Sequence, residues 1–333
     1  METVLAQKCL DDGAVLNISV VRAPDETRRD AILQLLSHKG PDWDVHLESA
    51  LAGEAEPLET RWYLGSLAGD PTANVMTVER HGVGILGHVY TREAYRRRGI
   101  ARCVLQAALE DFDRRGGRTL LLGTGYESVA YRLYESLGFR SLRGGFMQYL
   151  HGSRDEFTSA WFEAGEDRLE QADWQHWPLI TVLGAYPNQT GSRSLAWGLW
   201  DIANLESEYC SFMTLVQQSL AGGIVSVTAS GAAVACATWT PFKIGHCGAS
   251  IPDTWLVDAF SHPLHKYKLN GVLAALRLPE GKAIAIIPSD DQERISAFQN
   301  VGFAREGALQ DFVPLLHRRT SAMILGRSSE GRP

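Results

Sequence analysis

Four arginines fall within one short stretch, at Arg96, Arg97, Arg98 and Arg102, and Gly99, Ile100 and Ala101 lie among them. A helical period begins at the same place: Ile100, Val104, Leu105, Ala108, Leu109 and Phe112 share one face, and Gly116-Gly117 stops it. A helix start carries open backbone N–H groups and the positive end of its dipole, which together attract an anion. Gly99 and the small Ala101 let a bulky pyrophosphate approach the backbone, and the arginines add charge around it. The pattern G-x-x-x-x-G-K-[ST] is absent, so a Walker-type nucleotide loop is excluded. Further along, Tyr134 sits in the periodic segment ESVAYRLYESLGF, either as a core aromatic with a backbone-bonded hydroxyl or as a proton donor. Proton acceptors on or beside the central strands are Glu79, His81 and His88; a water relay could serve instead, and none is singled out. Cys103 falls on the helix as a packing residue.

The elements that hold these residues read as mixed α/β. LNISVVRA from Leu16 is a strand, and DETRRDAILQLLSHKG is a helix presenting Ala31, Leu33, Leu35 and Leu36, with Gly40 as its stop. TRWYLGSLAG, NVMTVERHG and VGILGHVYT follow as strands, and Gly69-Asp70-Pro71 and His81-Gly82 mark antiparallel hairpins between them. RTLLLGTG after the arginine-rich helix is a strand buried on both faces, and FMQYLHG closes the half.

The second half repeats this order. EDRLEQADWQHWPLITVLGAY gives a strand, Asp173 as helix cap and a helix; ESEYCSFMTLVQQSL is a helix. GIVSVTASG and AAVACATWTPF form a hairpin, DTWLVDAFSHPLH is a strand, and GVLAALRLPEG, KAIAIIPSDD and QERISAFQNVGF give helix, strand, helix. The best local match sets Phe298 to Phe303 against Tyr134 to Phe139, so residues 1–150 and 160–328 are expected to be separate domains.

The segment VYTREAYRRRGIAR resembles the pyrophosphate loop of the GNAT superfamily, R/Q-x-x-G-x-G/A, with Arg96, Gly99 and Ala101 in its three defining positions. The family's later A-x-x-x-Y-x-x-x-G-F helix is matched by Ala130, Tyr134, Gly138 and Phe139. The resemblance covers about residues 16–150 well and implies an acetyl-CoA-dependent N-acetyltransferase. It places the pantetheine arm against Val89, Tyr90 and Thr91, and the pyrophosphate on Arg96, Arg97, Arg98, Gly99, Ile100, Ala101 and Arg102. It gives Tyr134 the role of protonating the departing thiolate, for which a phenol with a pKa of about 10 is suited. The family's usual Asn near the start of the tyrosine helix is replaced here by Glu127 or shifted to Ser128. The fold implied is two tandem GNAT-like α/β (α+β) domains, each a mixed, mostly antiparallel sheet flanked by helices. The second departs from the pattern: Leu273 replaces the small loop residue, extra residues precede Gly271, and Phe298 replaces the tyrosine. It is therefore expected to be degenerate, structural or cleft-forming. Alternatives to amine transfer are a non-catalytic acyl-CoA-binding module and a GNAT-fold enzyme with another acyl-CoA chemistry, such as decarboxylation or O- or S-transfer.

Composition narrows the rest. The chain has 333 residues, is 45% hydrophobic and 21% charged, and carries a formal net charge of −7. That balance argues against a nucleic-acid binder and suits a cationic acceptor, a small-molecule or peptide amine. The acidic stretch DWDVHLESALAGEAEPLETRW (Asp42, Asp44, Glu48, Glu54, Glu56, Glu59) is either an attractor for such an amine or a solvated loop. Five cysteines without metal-type spacing fit a reduced, cytoplasmic setting, and no metal is expected. No apolar run approaches the ~20 residues of a membrane span. The chain is expected to act as a monomer or homodimer, with its ends, METVLAQ and GRSSEGRP, loose.

Overall fold

A computed structural model describes residues 2–186, 194–199, 204–244, 248–314 and 319–328. The chain forms two compact units, Met1–Arg154 and Asp155–Pro333.

The first unit runs β1 (Glu2–Cys9), β2 (Val15–Arg22), α1 (Arg29–Leu36), α2 (Pro41–Leu51), β3 (Glu59–Leu67), β4 (Asp70–Arg80), β5 (Val83–Thr91), α3 (Ile100–Arg114), β6 (Thr119–Gly123), α4 (Val129–Ser136), β7 (Arg140–Arg143) and β8 (Phe146–Leu150). Its eight strands are ordered β1-β2-β3-β4-β5-β6-β8-β7. All neighbours are antiparallel except β5 and β6. The two expected hairpins are present, with Ala68, Gly69, His81 and Gly82 all at positive φ, the backbone that tight turns between twisted strands require. One sheet face packs on α3 and α4 through Tyr63, Val75, Leu86, Leu120, Leu122, Val104, Phe112, Tyr134 and Phe139. All six apolar residues assigned to the α3 face are buried. In α1 the buried residues are Ile32, Leu35 and Leu36, so Ile32 takes the place expected for Leu33.

Residues expected to be loose at the N-terminus are instead β1, paired to β2 from Glu2↔Val21 to Cys9↔Val15. Ser19 donates to the Glu2 carboxylate, which also meets Arg28. This edge strand is polar and largely exposed, so hydrophobic patterning gave no sign of it. At the other end, Arg319–Ser328 is strand, and the last five residues lie outside those described.

The second unit contains α5 (Arg154–Trp161), β9 (Asp167–Gln171), α6 (His176–Gly184), α7 (Glu206–Gln217), β10 (Gly222–Thr228), β11 (Ala233–Ile244), β12 (Ala249–Ser261), α8 (Leu269–Ala275), β13 (Lys282–Pro288), α9 (Gln292–Asn300), β14 (Ala304–Pro314) and β15 (Arg319–Ser328). Its sheet is ordered β14-β15-β13-β12-β11-β10-β9, with β12 and β13 the parallel pair. Counted from β2, the first sheet has the same seven-strand order and the same place for its parallel pair. The sequence repeat is thus a repeat of topology, two mixed, mostly antiparallel α/β units in tandem. Asp173 caps locally as expected, its carboxylate accepting the Gln175 N–H at 3.1 Å, but α6 itself starts at His176.

Candidate functional site

The site in the first unit begins where β5 leaves β6. The two strands are in register at only three positions, Val83↔Thr119, Gly84↔Leu120 and Ile85↔Leu121. From Leu86 to Thr91 the edge of β5 that faces β6 is released. On its other edge β5 carries a bulge: Asn74 pairs with Tyr90 and Met76 with Gly87, so His88 and Val89 together oppose Val75. His88 sits at φ 48°, and Asn74 pins the bulge by donating to the His88 carbonyl at 2.9 Å. Parting and bulge leave the backbone of Val89, Tyr90 and Thr91 beside an opening in the sheet.

The chain then turns through Glu93–Tyr95 into an extended Arg96. Arg97 (φ 64°) and Gly99 (φ 76°) are left-handed, and α3 starts at Ile100 with no side chain capping it and no acid in its first turn. The first intrahelical bond of this turn runs from the Cys103 N–H to the Gly99 C=O at 3.1 Å. The N–H groups of Ile100, Ala101 and Arg102 therefore face outward without an intrahelical acceptor. They border a cavity of about 570 Å³ lined by Thr91, Tyr95, Arg96, Arg97, Gly99 to Arg102, and Val129, Arg132 and Leu133 of α4.

The arginines are not equivalent. Arg96 donates to the Thr91 carbonyl at 3.1 Å, and Arg102 reaches Ser136 at 3.0 Å. Arg98 is tied to Asp12 at 2.6 Å, and Asp12 is held below the ordinary carboxylate range, first by the Ala14 N–H and further by Arg98. The side chains of Arg97 and Arg132 make no hydrogen bond or ion pair among the described residues and are exposed on this cavity. Arg132 was not foreseen from the sequence. Its signal is its spacing from Val129 and Leu133, which puts all three on the face of α4 turned to the loop.

Tyr134 is buried, 7% exposed, with its ring 5.8 Å from Phe139 in the core beneath α3 and α4. It does not line the loop cavity, which α4 borders through Val129, Arg132 and Leu133. Ser128 caps α4, its hydroxyl oxygen accepting the Tyr131 N–H at 3.1 Å. Its own O–H remains able to donate. Glu127, at φ 56°, is exposed in the turn before it.

The three proton-acceptor candidates separate clearly. Glu79 is enclosed in an ion network: Arg115 donates to both its oxygens at 2.6 and 2.9 Å, Thr77 donates at 2.6 Å, and Arg61 lies 3.7 Å away. Arg115 also binds Asp111 at 2.9 Å, and Tyr63 donates to Asp111 at 2.9 Å. That network closes the end of the sheet remote from the bulge and reads as structural. His81 lies in the exposed β4–β5 turn at the same remote end. Only His88 is at the opening. It is 6% exposed, neither ring nitrogen has a partner, and Trp43 meets its ring edge-on at 4.8 Å. Burial first, then the charges of Lys39, His46 and His38, push its pKa down to about 3. His88 is therefore a neutral imidazole that can accept a hydrogen bond but holds a proton poorly.

The acidic stretch offers little to an amine at this opening. Glu48 pairs with Arg29 at 3.1 Å and Glu59 with Arg61, while Glu54 and Glu56 are exposed before β3. The side chain of Asp42 lies outside those described. Around Tyr90 the neighbours are His38, stacked at 4.0 Å, and the Arg96 guanidinium 6.0 Å from the ring.

Residues 63–146, from β3 to the start of β8, match the family model described as FR47-like protein. Solved structures similar to about half of the chain include yncA of Salmonella typhimurium with its cofactor acetyl-CoA, 16% identical, covering 51% of this chain and 98% of that one, TM-score 0.41. A GNAT superfamily phosphinothricin acetyltransferase of Sinorhizobium meliloti in complex with acetyl-CoA is 15% identical over 50% and 92% of the chains, TM-score 0.40. The ribosomal-protein-alanine N-acetyltransferase of Brucella melitensis is 14% identical over 49% and 99%, TM-score 0.38. No curated protein matches the chain.

The second unit, which shares this strand order, differs at the corresponding place. A 3-10 stretch, Pro263–Lys268, kinked at His265, leads directly into α8, so Gly271 is inside α8 and Leu273 is buried in the core. Phe298 is fully buried. The cavity between this stretch and the start of α9 is about 20 Å³. No group of His, Cys, Asp and Glu suited to a metal occurs among the described residues, and none of their helices is long and apolar enough to cross a membrane. Cys247 lies outside the described residues, and the other four cysteines are free thiols.

Proposed function

We propose that the first unit binds acetyl-CoA and transfers its acetyl group directly to an amine of a small molecule or peptide. The observation that carries this reading is the continuity of the opened β5 edge with an uncapped, left-handed turn into α3 over a cavity of about 570 Å³. An extended arm can pair with Val89, Tyr90 and Thr91, while a pyrophosphate accepts from the N–H groups of Ile100, Ala101 and Arg102. Arg97 and Arg132 supply unengaged charge. Arg96, Arg98 and Arg102, already held by neighbours, shape the loop.

The chemistry follows from charge placement. The free β5 N–H groups near Val89 polarise the acyl carbonyl and stabilise the developing oxyanion. The amine nitrogen bonds to the acyl carbon, the carbon–sulfur bond breaks, and Tyr134 delivers its proton to the thiolate, regaining one from water before the next turnover. His88, neutral and unpartnered, accepts a hydrogen bond from the incoming amine. The proton that the ammonium must shed goes to water, because burial among Lys39, His38 and His46 denies His88 the basicity to keep it. The second unit, with its closed loop cavity and Phe298, has a structural role or shapes substrate access.

Isothermal titration of acetyl-CoA into the wild type and into a Gly99→Trp, Ala101→Trp variant tests the reading. One site per chain, lost in the variant, supports it. Absence of binding overturns it, and two sites would return a cofactor to the second unit. Release of free thiol that depends on an added amine separates transfer from a non-catalytic acyl-CoA module.

A further inference from the structure

The second unit holds a cavity of about 570 Å³ that its collapsed loop cavity does not explain. It lies on the sheet face opposite α8 and α9. Register fixes this: Thr238 opposes Asp258 and Thr240 opposes Leu256, while the alternating residues Ala237, Trp239, Val257 and Ala259 belong to the core shared with α8 and α9. Its walls are mainly apolar, with Trp197 and Phe212 packed together at 5.1 Å above Leu256 and Ile286. An apolar body with one polar contact is what such a lining selects.

The polar contact is Asp258, 4% exposed on the cavity floor. Ser194 donates to one of its oxygens and the Ala259 N–H to the other at 2.8 Å. Among the described residues its countercharge is Arg294. Arg294 is buried, but it is engaged at 2.8 and 3.0 Å with Asp291 and stands 3.5 Å from Asp258. That guanidinium serves two carboxylates among the described residues, and burial pushes the Asp258 carboxyl above its ordinary range, so a second cation at the cavity face would favour its charged form. Among the described residues the other charged groups on the lining are Glu208 of α7 and Lys243 of β11, both exposed to solvent.

We propose that this cavity binds a small primary amine with an aromatic or aliphatic body, its ammonium meeting Asp258 and its apolar part covered by Trp197 and Phe212. The site is independent of acyl transfer in the first unit. An ammonium at Asp258 completes the charge balance that Arg294 divides, and the hydroxyls of Thr238 and Thr240 lie on the same face to take its remaining hydrogens.

The test is isothermal titration of 2-phenylethylamine and, separately, of 3-phenylpropionate into the full-length chain without acyl-CoA. The amine should bind once per chain and the carboxylate should not. Asp258→Asn should weaken amine binding by about tenfold or more, the loss expected for a charge-assisted contact. Ser211→Trp, which fills the cavity from an exposed position on α7, should abolish it without disturbing the fold, as a thermal melt will show. Gly99→Trp, Ala101→Trp in the first unit should leave it unchanged, which separates this site from the transfer site. Absence of amine binding, equal binding of the carboxylate, or binding that survives Ser211→Trp overturns the proposal.

Discussion

Helix α3 carries its own control experiment. It is entered by Gly99 at φ 76° and followed by Gly116 at φ 77°, and a Cβ built on either meets no protein atom within 4 Å. Alanine at each position therefore costs the same backbone strain, about 1–2 kcal/mol for a left-handed non-glycine residue. In a unit of this size, that lowers Tm by roughly 2–8 °C. The two sites differ in what occupies the open space. Gly99 borders the loop cavity, and Gly116 lies at the far end of α3. If a pyrophosphate sits on the α3 N–H groups, a methyl at Gly99 forces it back and weakens charge-assisted hydrogen bonds worth about 1.5–3 kcal/mol each, or roughly 10- to 150-fold in Kd. Gly99→Ala should thus lose acetyl-CoA affinity well beyond its stability loss, while Gly116→Ala should lose stability alone. Thermal melts and acetyl-CoA titrations on both variants decide it. Equal affinity in the two would refute the phosphate cradle and leave Gly99 as a turn residue only.

Four further outcomes follow from the same geometry. Tyr134→Phe keeps the ring packed on Phe139 but has no proton to give, so kcat should fall about 100-fold or more; full turnover across the pH range would remove Tyr134 from the mechanism. Because His88 stays neutral, the acid limb of kcat/KM should track the pKa of the amine supplied, and two amines of different basicity should give displaced profiles. Glu79→Gln should cost on the order of 3 kcal/mol of stability by unbalancing Arg115, yet leave kcat of the folded enzyme unchanged, which denaturant unfolding and steady-state rates will show. Burial drives His46 and His88 to about 3, so the unfolded chain binds protons that the folded unit refuses. Stability is then full above about pH 6.5 and is lost as pH falls towards 3, by roughly 4 kcal/mol for the pair at about pH 5, measurable by urea unfolding at the two pH values.

What the sequence disclosed was whatever depends on local pattern. The period of Ile100 to Phe112 and the glycine at each end located α3, and the two hairpins followed from their turn residues. The loop could be read as an anion site because its chemistry resides in consecutive backbone groups. Features that depend on pairing across the sheet were silent. The polar β1 shows no alternation, and its place at the edge follows from Ser19 and Arg28 meeting Glu2. The selection among Glu79, His81 and His88 also required the fold. All three are near one another in sequence, but only the bulge and the early parting of β5 from β6 put His88 at the opening, while Arg115, from the end of α3, claims Glu79.

The divergence of the second unit turns on one position. In each sheet the parallel pair stays in register for three residues and then parts, after Ile85 in the first unit and after Leu256 in the second. Two residues further on stands Gly87 in the first unit and Asp258 in the second. Four residues before Tyr134 is Ala130, and four before Phe298 is Arg294. Arg294, on the helix α9 that packs on one face, reaches Asp258, whose side chain lines the cavity on the other, so the pair spans the parting of β12 and β13. An arm cannot thread an opening crossed by a buried ion pair. The cost of withdrawing either charge without its partner, about 3–5 kcal/mol, keeps it shut. Asp258 thus meets Arg294 across the parting and lines the cavity on the other face, where the proposed ammonium would be held.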